Sequence, residues 1–183
     1  MKVSSTETEK VLRLLAATPR RIASLSRGID IGKFQFKPDQ DSWSANEILA
    51  HLRACADVWG KSIIATITLD HPTLRHISPR GWIRRTDYLQ LEFKSSLATF
   101  AHQRHELLSV LKGLATRDWS REATTKGRVQ TVFSFASRIA EHESKHCRQI
   151  EEVLKLASAP NCGVERSARV SVHRNSSPTS RAR

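Results

Sequence analysis

Four long stretches of the sequence place apolar residues three or four positions apart, and this spacing restricts the fold more than any other feature. On a helix, such spacing collects the apolar side chains on one face. Alternating patterns typical of strands are weak throughout. The chain is therefore predicted to be all-α, as an up-down-type four-helix bundle with long crossover loops. The predicted helices run over about 6–26, 44–63, 86–114 and 131–157.

Residues that break or cap helices separate these stretches. Pro19 lies inside the first pattern and predicts a kink or a division there. Ser44 and Glu47 have the spacing of a capping box, in which a serine caps the helix and a glutamate three residues later reaches back. The connection over 69–85 contains two prolines and a glycine, which disfavours regular structure throughout it.

Composition changes near the end of the fourth predicted helix. The sequence after Ala159 is rich in serine and arginine and has almost no large apolar residues. We therefore expect a four-helix-bundle domain over 1–159 and a disordered basic tail over 160–183. The formal net charge of the chain is +12, of which the stretch 165–183 contributes five arginines against one glutamate. The remaining positive charge is spread along the helices without a recognition-helix pattern, so nucleic-acid binding is disfavoured.

The sequence also limits the compartment and the type of cysteine chemistry. No apolar run approaches the roughly 20 residues that span a bilayer, which disfavours a membrane protein. The first residues lack the apolar core of a signal peptide, so we predict a cytoplasmic location. Cys55, Cys147 and Cys162 are odd in number and widely separated, which disfavours a disulfide framework. Whether the bundle is a monomer or a homodimer is left open.

Two histidines of the fourth predicted helix stand one turn apart on its apolar face. His142 and His146 continue a stripe that includes Ile139 and Ile150 at spacings of three and four. A buried histidine can simply be satisfied by one neighbouring hydrogen bond, but two stacked imidazoles both need polar partners. The same spacing also lets one nitrogen from each ring bind a single metal ion. An HxxxH pair is common by chance, so a metal site needs a third ligand.

His51 supplies a candidate third ligand from the second predicted helix. It falls beside Ile48, Leu52 and Cys55 on the inward side of that helix. If the second and fourth helices are neighbours, His51 points at the other two histidines. Three neutral imidazoles leave one coordination position open, as in catalytic rather than structural zinc sites. The remaining histidines, at 71, 76, 102, 105 and 173, lie in loops, on polar helix faces or in the tail.

Several stretches of the chain resemble the DinB-like superfamily of four-helix-bundle proteins. These are "WSANEILAHL" at 43–52 and "RIAEHESKHCRQIEEVL" at 138–154, together with "TDYLQLEF" and "DWSREATT". The resemblance extends over about residues 7–157. In that family, a histidine on the second helix and an HxxxH pair on the last helix form a divalent-metal triad. The resemblance therefore assigns the metal ligands to His51, His142 and His146.

The resemblance also implies a range of activities. Some relatives are S-transferases or isomerases that use bacillithiol, mycothiol or glutathione. We therefore expect a metal-dependent enzyme with zinc or nickel as cofactor, and with a low-molecular-weight thiol as a further cofactor or substrate. A metal-dependent hydrolase and a metal-binding protein without turnover are equally compatible with three histidine ligands. The small-molecule substrate is not indicated by the sequence.

Residues beside the histidines do not decide between these reactions. Glu143 follows His142 but lies about 100° away around the helix, and Glu47 is assigned to a helix cap. No general base is therefore predicted. Trp43, Trp59 and Trp82 are candidates for the mouth of a pocket, although a tryptophan near the end of a bundle more often packs in the core or at its rim.

Overall fold

A computed structural model of the protein describes residues 3–159, and four long helices dominate it. The predicted four-helix bundle with long connecting segments is confirmed. Two short 3-10 helices, at Ile31–Gln35 and Thr116–Ser120, lie in the connections. The helices are α1 (Ser5–Leu25), α2 (Ala45–Thr68), the short α3 (Pro79–Ile83), α4 (Phe93–Lys112) and α5 (Val132–Ser158).

The directions of the long helices follow from the two apolar clusters that form the core. The first halves of α1 and α5 meet the second halves of α2 and α4 in one cluster, which includes Leu15, Ile63, Leu111 and Ile139. The opposite ends of the same helices meet in the other cluster. Thus α1 and α5 run one way while α2 and α4 run the other way. Strict up-down alternation is broken between α2 and α4, because their connection is long enough to carry the chain back to the starting end.

Each long helix packs against two others. The neighbours of α2 are α4 and α5, and the same two helices flank α1. The helices α1 and α2, although consecutive in sequence, therefore face each other across a diagonal, as do α4 and α5. This order makes α2 and α5 direct neighbours, which was the condition for bringing the three candidate ligands together.

A small three-stranded sheet joins the two longest connections. Its strands are β1 (Thr73–Leu74), β2 (Glu122–Thr125) and β3 (Arg128–Thr131); β1 is parallel to β2, and β2 is antiparallel to β3. Lys126 and Gly127 form the β2–β3 turn with φ values of 50° and 69°, the left-handed conformation that two-residue hairpins need. Strands this short carry too little alternation for the sequence to predict them.

The predicted start of the third long helix is wrong by seven residues. We expected the helix from about Thr86, but α4 begins at Phe93. The side-chain amide of Asn46 donates hydrogen bonds to the carbonyl oxygens of Leu89 and Leu91 at 3.3 and 3.2 Å. These carbonyls are therefore bound by α2 and not by a helical turn. Leu89, which has helical spacing from Phe93 and would lie on the apolar stripe of a helix that began at Thr86, is 41% exposed.

The first helix continues through Pro19 without the division that was one of two predicted effects of this residue. The apolar spacing of the same stretch also predicts an inward position for Leu14. This prediction is wrong, because Leu14 is 38% exposed, whereas Leu15 and Ile22 are fully buried. The apolar stripe of α1 therefore runs through Val11, Leu15 and Ile22.

The proposed tail at 160–183 lies outside the described residues. Within residues 3–159, no helix combines the length and apolar character needed to cross a membrane.

Candidate metal centre

Two capped helices position the three histidines. Ser44 caps α2, because its hydroxyl accepts the N–H of Glu47 at 3.2 Å while the Glu47 carboxylate accepts the N–H of Ser44 at 2.8 Å. This fixes the start of α2 shortly before His51. At the start of α5, the hydroxyl of Thr131 accepts the N–H of Ser134 at 3.0 Å. The predicted role of Glu47 as a capping residue is therefore confirmed.

The structure brings His51, His142 and His146 into one cluster. The Nε2 atom of His142 lies 3.3 Å from Nε2 of His51 and 3.2 Å from Nε2 of His146. A ligand nitrogen of each histidine lies within 4.8 Å of the other two. Nitrogens bound to one tetrahedral zinc ion at about 2.0–2.1 Å are about 3.3 Å apart. The two separations about His142 therefore have the size that a shared ion requires.

The chemistry of the three rings also fits a cation. A neutral imidazole nitrogen carries either one proton or one lone pair, so Nε2 of His142 can form a hydrogen bond with only one of its two neighbours. One cation, in contrast, accepts lone pairs from all three Nε2 atoms. The other ring nitrogen of His146 lies 2.9 Å from Oε1 of Gln149. With Nδ1–H donating to this oxygen, Nε2 is left free to bind a metal.

Burial keeps the cluster uncharged. Burial, followed by the neighbouring imidazoles of His146 and His142, lowers the pKa of His51 to about 3. Burial likewise lowers the pKa of His142 to about 4. The pKa of His146 is also lowered by burial, although its bond to Gln149 opposes the shift. At neutral pH all three rings therefore present lone pairs, the form that binds metal.

Two tryptophans flank the cluster. The Trp43 ring lies edge-on to His51 at a centroid distance of 5.1 Å and stacks on His146 at 6.2 Å. The Trp59 ring lies edge-on to His142 at 4.9 Å. Trp43 packs against one apolar cluster of the core and Trp59 against the other. The triad therefore lies between the two halves of the core, with aromatic walls on both sides. Trp82 instead belongs to the α2–α4 connection.

An open cleft reaches the cluster at His146. It has a volume of about 350 Å³, and its lining also includes Asp41, Trp43, Arg80 and Gln149. His142 and His146 are half-buried, whereas His51 is only 6% exposed. A small molecule can therefore approach the triad from the α5 side.

Cys55 is a close neutral neighbour of the triad. Its Sγ atom lies 3.5 Å from Nε2 of His51, one helical turn away on α2. Burial and then the nearby Glu143 carboxylate raise the pKa of this thiol. Cys55 therefore remains protonated and packs as a small apolar residue on the inward side of α2.

Comparison with known proteins identifies the family and the fold of the chain. The model of the DinB superfamily matches residues 14–150. The chain belongs to the DinB superfamily. No curated protein matches it. Among solved structures, the fold is similar to YfiT from Bacillus subtilis, with a TM-score of 0.75 and 15% sequence identity over 84% of this chain and 89% of that one. That structure is described as "a probable metal-dependent hydrolase with an unusual four-helix bundle topology".

Two features of this DinB superfamily member were missed by sequence reasoning. Arg104 and Glu143 form a buried ion pair in the core, with side chains 1% and 0% exposed. Both continue apolar stripes, at spacings of four from Phe100 and Ile139, and this signal could have revealed them. Arg80 at the cleft was also missed, because an irregular connection offers no periodicity from which to place it.

The lowered histidine pKa values predict acid sensitivity of the metal-free protein. Between about pH 6.5 and 4, unfolding exposes His51 and His142 and lets them take up about two protons. Because the unfolded chain binds more protons, the free energy of unfolding should fall as the pH falls through this range. Urea unfolding at several pH values, with chelator present, measures this slope. Carboxylates that titrate in the same range also contribute to this slope, so the control is a double variant that carries His51→Gln and His142→Gln. Equal slopes for both proteins would contradict the prediction.

Proposed function

We propose that this protein is a divalent-metal-dependent enzyme whose metal ligands are His51, His142 and His146. The observation that carries the proposal is the pair of Nε2 separations of 3.3 and 3.2 Å about His142. Neutral imidazole ligands suit zinc and nickel, which are the proposed metals. Three protein ligands leave a position for a further ligand, as catalytic sites require.

The residues around the triad support chemistry on a small molecule. When bound, the ion would supply Lewis-acid chemistry, lowering the pKa of a thiol or a water molecule. Trp43 and Trp59 limit the access of water on two sides of the triad. The cleft beside His146 admits a substrate, and Gln149 holds the ring of His146 by its hydrogen bond.

We propose thiol transfer as the reaction. The sulfur of a low-molecular-weight thiol forms a bond to an electrophilic carbon, the leaving group departs with its electron pair, and the thiol proton ends on solvent or on that group. A thiol has a pKa of about 8.5, so it needs less help from a base than water does. This difference favours a thiol over water because both nearby glutamates have other partners and are not placed to act as a base. Glu143 pairs with Arg104, and Glu47 binds Lys37 and the backbone N–H of Ser44 at the α2 cap.

A metal-dependent hydrolase is the second candidate. The exposed carboxylate Asp41 lines the same cleft and offers a base for water. In hydrolysis, the water oxygen forms a bond to a carbonyl or phosphoryl centre while the leaving group departs and takes up a proton. The description of the similar YfiT structure as a probable hydrolase also favours this alternative.

One series of measurements tests the proposal. Protein stripped with chelator and then dialysed against zinc or nickel is expected to retain about one ion per chain. The loaded protein is then assayed with thiols and an electrophile such as an alkyl halide, and separately with activated esters without thiol. Thiol-dependent turnover supports the transferase, and thiol-independent ester cleavage supports the hydrolase. A bound ion without turnover in either assay would indicate a metal-binding protein. Failure to retain any ion would refute the proposed function altogether.

A further inference from the structure

Arg80 places a positive charge in the cleft that leads to the triad. It lies on α3 with its side chain exposed, and it lines the cleft together with His146. The carbon of its guanidinium lies 5.3 Å from the centre of the Trp43 ring, within the range of a cation–π contact. Trp43 in turn contacts His51 and His146. The guanidinium is therefore separated from two candidate ligands by one aromatic ring.

The α2–α4 connection is anchored to α2 at positions that closely follow Arg80. The indole N–H of Trp82, two residues after Arg80, donates to the carboxylate of Asp57 on α2 at 3.0 Å. The hydroxyl of Tyr88 donates to the same oxygen at 2.6 Å. The segment from Trp82 to Tyr88, which connects α3 to the start of α4, is thereby fixed at both ends to the carboxylate of Asp57. Within residues 3–159, Arg80 has no salt bridge of its own.

A cation beside a divalent metal site needs an electrostatic explanation. The guanidinium of Arg80 contacts the ring of Trp43, which in turn contacts His51 and His146. A positive charge in this position repels a metal ion at the triad and opposes its binding. Asp41 is the carboxylate among the lining residues of the cleft, and within residues 3–159 it forms no salt bridge with Arg80. An anionic group that lies between Arg80 and the metal ion is attracted to both, and these two attractions offset the repulsion between the cations.

We infer that Arg80 binds an anionic group of the substrate while the reacting atom of that substrate lies at the triad. The substrate class is thus a small molecule that carries a carboxylate or similar anion in addition to its reactive thiol or electrophilic centre. The planar guanidinium suits a carboxylate because it can donate two parallel N–H bonds. This inference rests on the proposed metal-dependent function and adds the charge of the substrate to it.

The inference is tested by comparing two thiols of similar size on the cobalt-loaded protein. Mercaptoacetate carries a carboxylate, and 2-mercaptoethanol does not. Cobalt content is measured first, and each thiol is then titrated by its sulfur-to-cobalt absorption band. Because intrinsic affinities for cobalt differ, the readout is the ratio of the two dissociation constants in wild type, in Arg80→Gln and in the matched control Arg84→Gln. Arg84 is exposed on the same segment but is not among the residues that line the cleft.

Arg80→Gln is expected to reduce the preference for mercaptoacetate about three- to tenfold, a range that corresponds to one partly exposed ion pair. Cobalt content should not fall, because the substitution removes a positive charge near the ion, and the affinity for 2-mercaptoethanol should change less than the affinity for mercaptoacetate. Every value for Arg84→Gln should stay unchanged. An unchanged ratio in Arg80→Gln, or cobalt-loaded protein that responds to neither thiol, would overturn the inference while leaving the metal site intact. Protein that takes up no cobalt would overturn the proposed function as well.

Discussion

Replacing His142 by alanine is expected to abolish metal binding and turnover while the bundle remains folded. Nε2 of His142 is close to both other Nε2 atoms, so the substitution removes the central member of the triad. Changing a residue that merely supports a ligand already lowers metal affinity about 10- to 100-fold, and loss of a ligand should exceed this. Metal titration and turnover assays of the variant measure both effects.

The fold should tolerate this change because its core does not depend on the triad. Fully buried apolar residues lie in clusters on both sides of the histidines, among them Leu15, Leu52, Phe100 and Ile150. Burial of apolar surface at about 25 cal/mol per Å² dominates the stability of such a core. The His142 ring is half-buried and contacts mainly Trp59 and the other two histidines. Its removal should therefore shift the melting temperature by only a few degrees.

A matched variant and a chelator experiment are the controls for this prediction. His105 is an exposed histidine on α4, so His105→Ala removes an imidazole far from the ligand cluster and should change neither metal content nor activity. Circular dichroism melts with and without chelator separate a catalytic ion from a structural one, because a structural ion contributes folding free energy directly. If chelator alone unfolds wild type, the site is structural and the proposed enzymatic role is wrong.

The triad could be predicted because its signal is local and periodic. His142 and His146 interrupt an apolar stripe on one helix, and His51 does the same on another, so each ring could be assigned to an inward face from the sequence. Whether the two helices touch could not be derived from periodicity. The contact between α2 and α5 depends on the long α2–α4 connection, which lets α2 and α4 run in parallel and leaves α5 beside α2.

Other elements were less predictable for physical reasons that differ between them. Strand β1 has two residues and is stabilised by pairing with β2, about fifty residues later, so its own sequence carries little information. The late start of α4 depends on the side chain of Asn46 on a different helix. Arg80 lies in an irregular connection that is anchored by long-range hydrogen bonds of Trp82 and Tyr88 to Asp57 on α2. In each case a long-range contact overrides the local pattern.

Breaking the buried Arg104–Glu143 ion pair is expected to destabilise the protein strongly. The pair joins α4 and α5 across the diagonal of the bundle. Burial raises the pKa of Glu143, and the adjacent Arg104 guanidinium opposes this shift. Removing either partner leaves the other as an uncompensated buried charge, at a cost of about 3–5 kcal/mol. Arg104→Ala and Glu143→Ala should each lower the free energy of unfolding by this amount in urea denaturation.

An exposed pair in the same bundle provides the matched control. Arg21 and Glu151 join α1 to α5 at 2.9 Å, with side chains 41% and 30% exposed. Solvent screens this pair, so Arg21→Ala should change the free energy of unfolding by less than about 1 kcal/mol. The contrast between the two pairs isolates burial as the cause of the larger effect.

A double variant distinguishes the cost of an unpaired charge from the value of the pair itself. Arg104→Met combined with Glu143→Leu removes both charges and keeps apolar volume between α4 and α5. Because an apolar replacement avoids the desolvation of two ions, the double variant should be about as stable as wild type, or more stable. Since Glu143 directly follows His142, the metal content of this variant also reports whether the pair is needed to orient the triad. A double variant as unstable as the sum of the two alanine variants would show that the pair is itself stabilising, contrary to the expectation for buried ions.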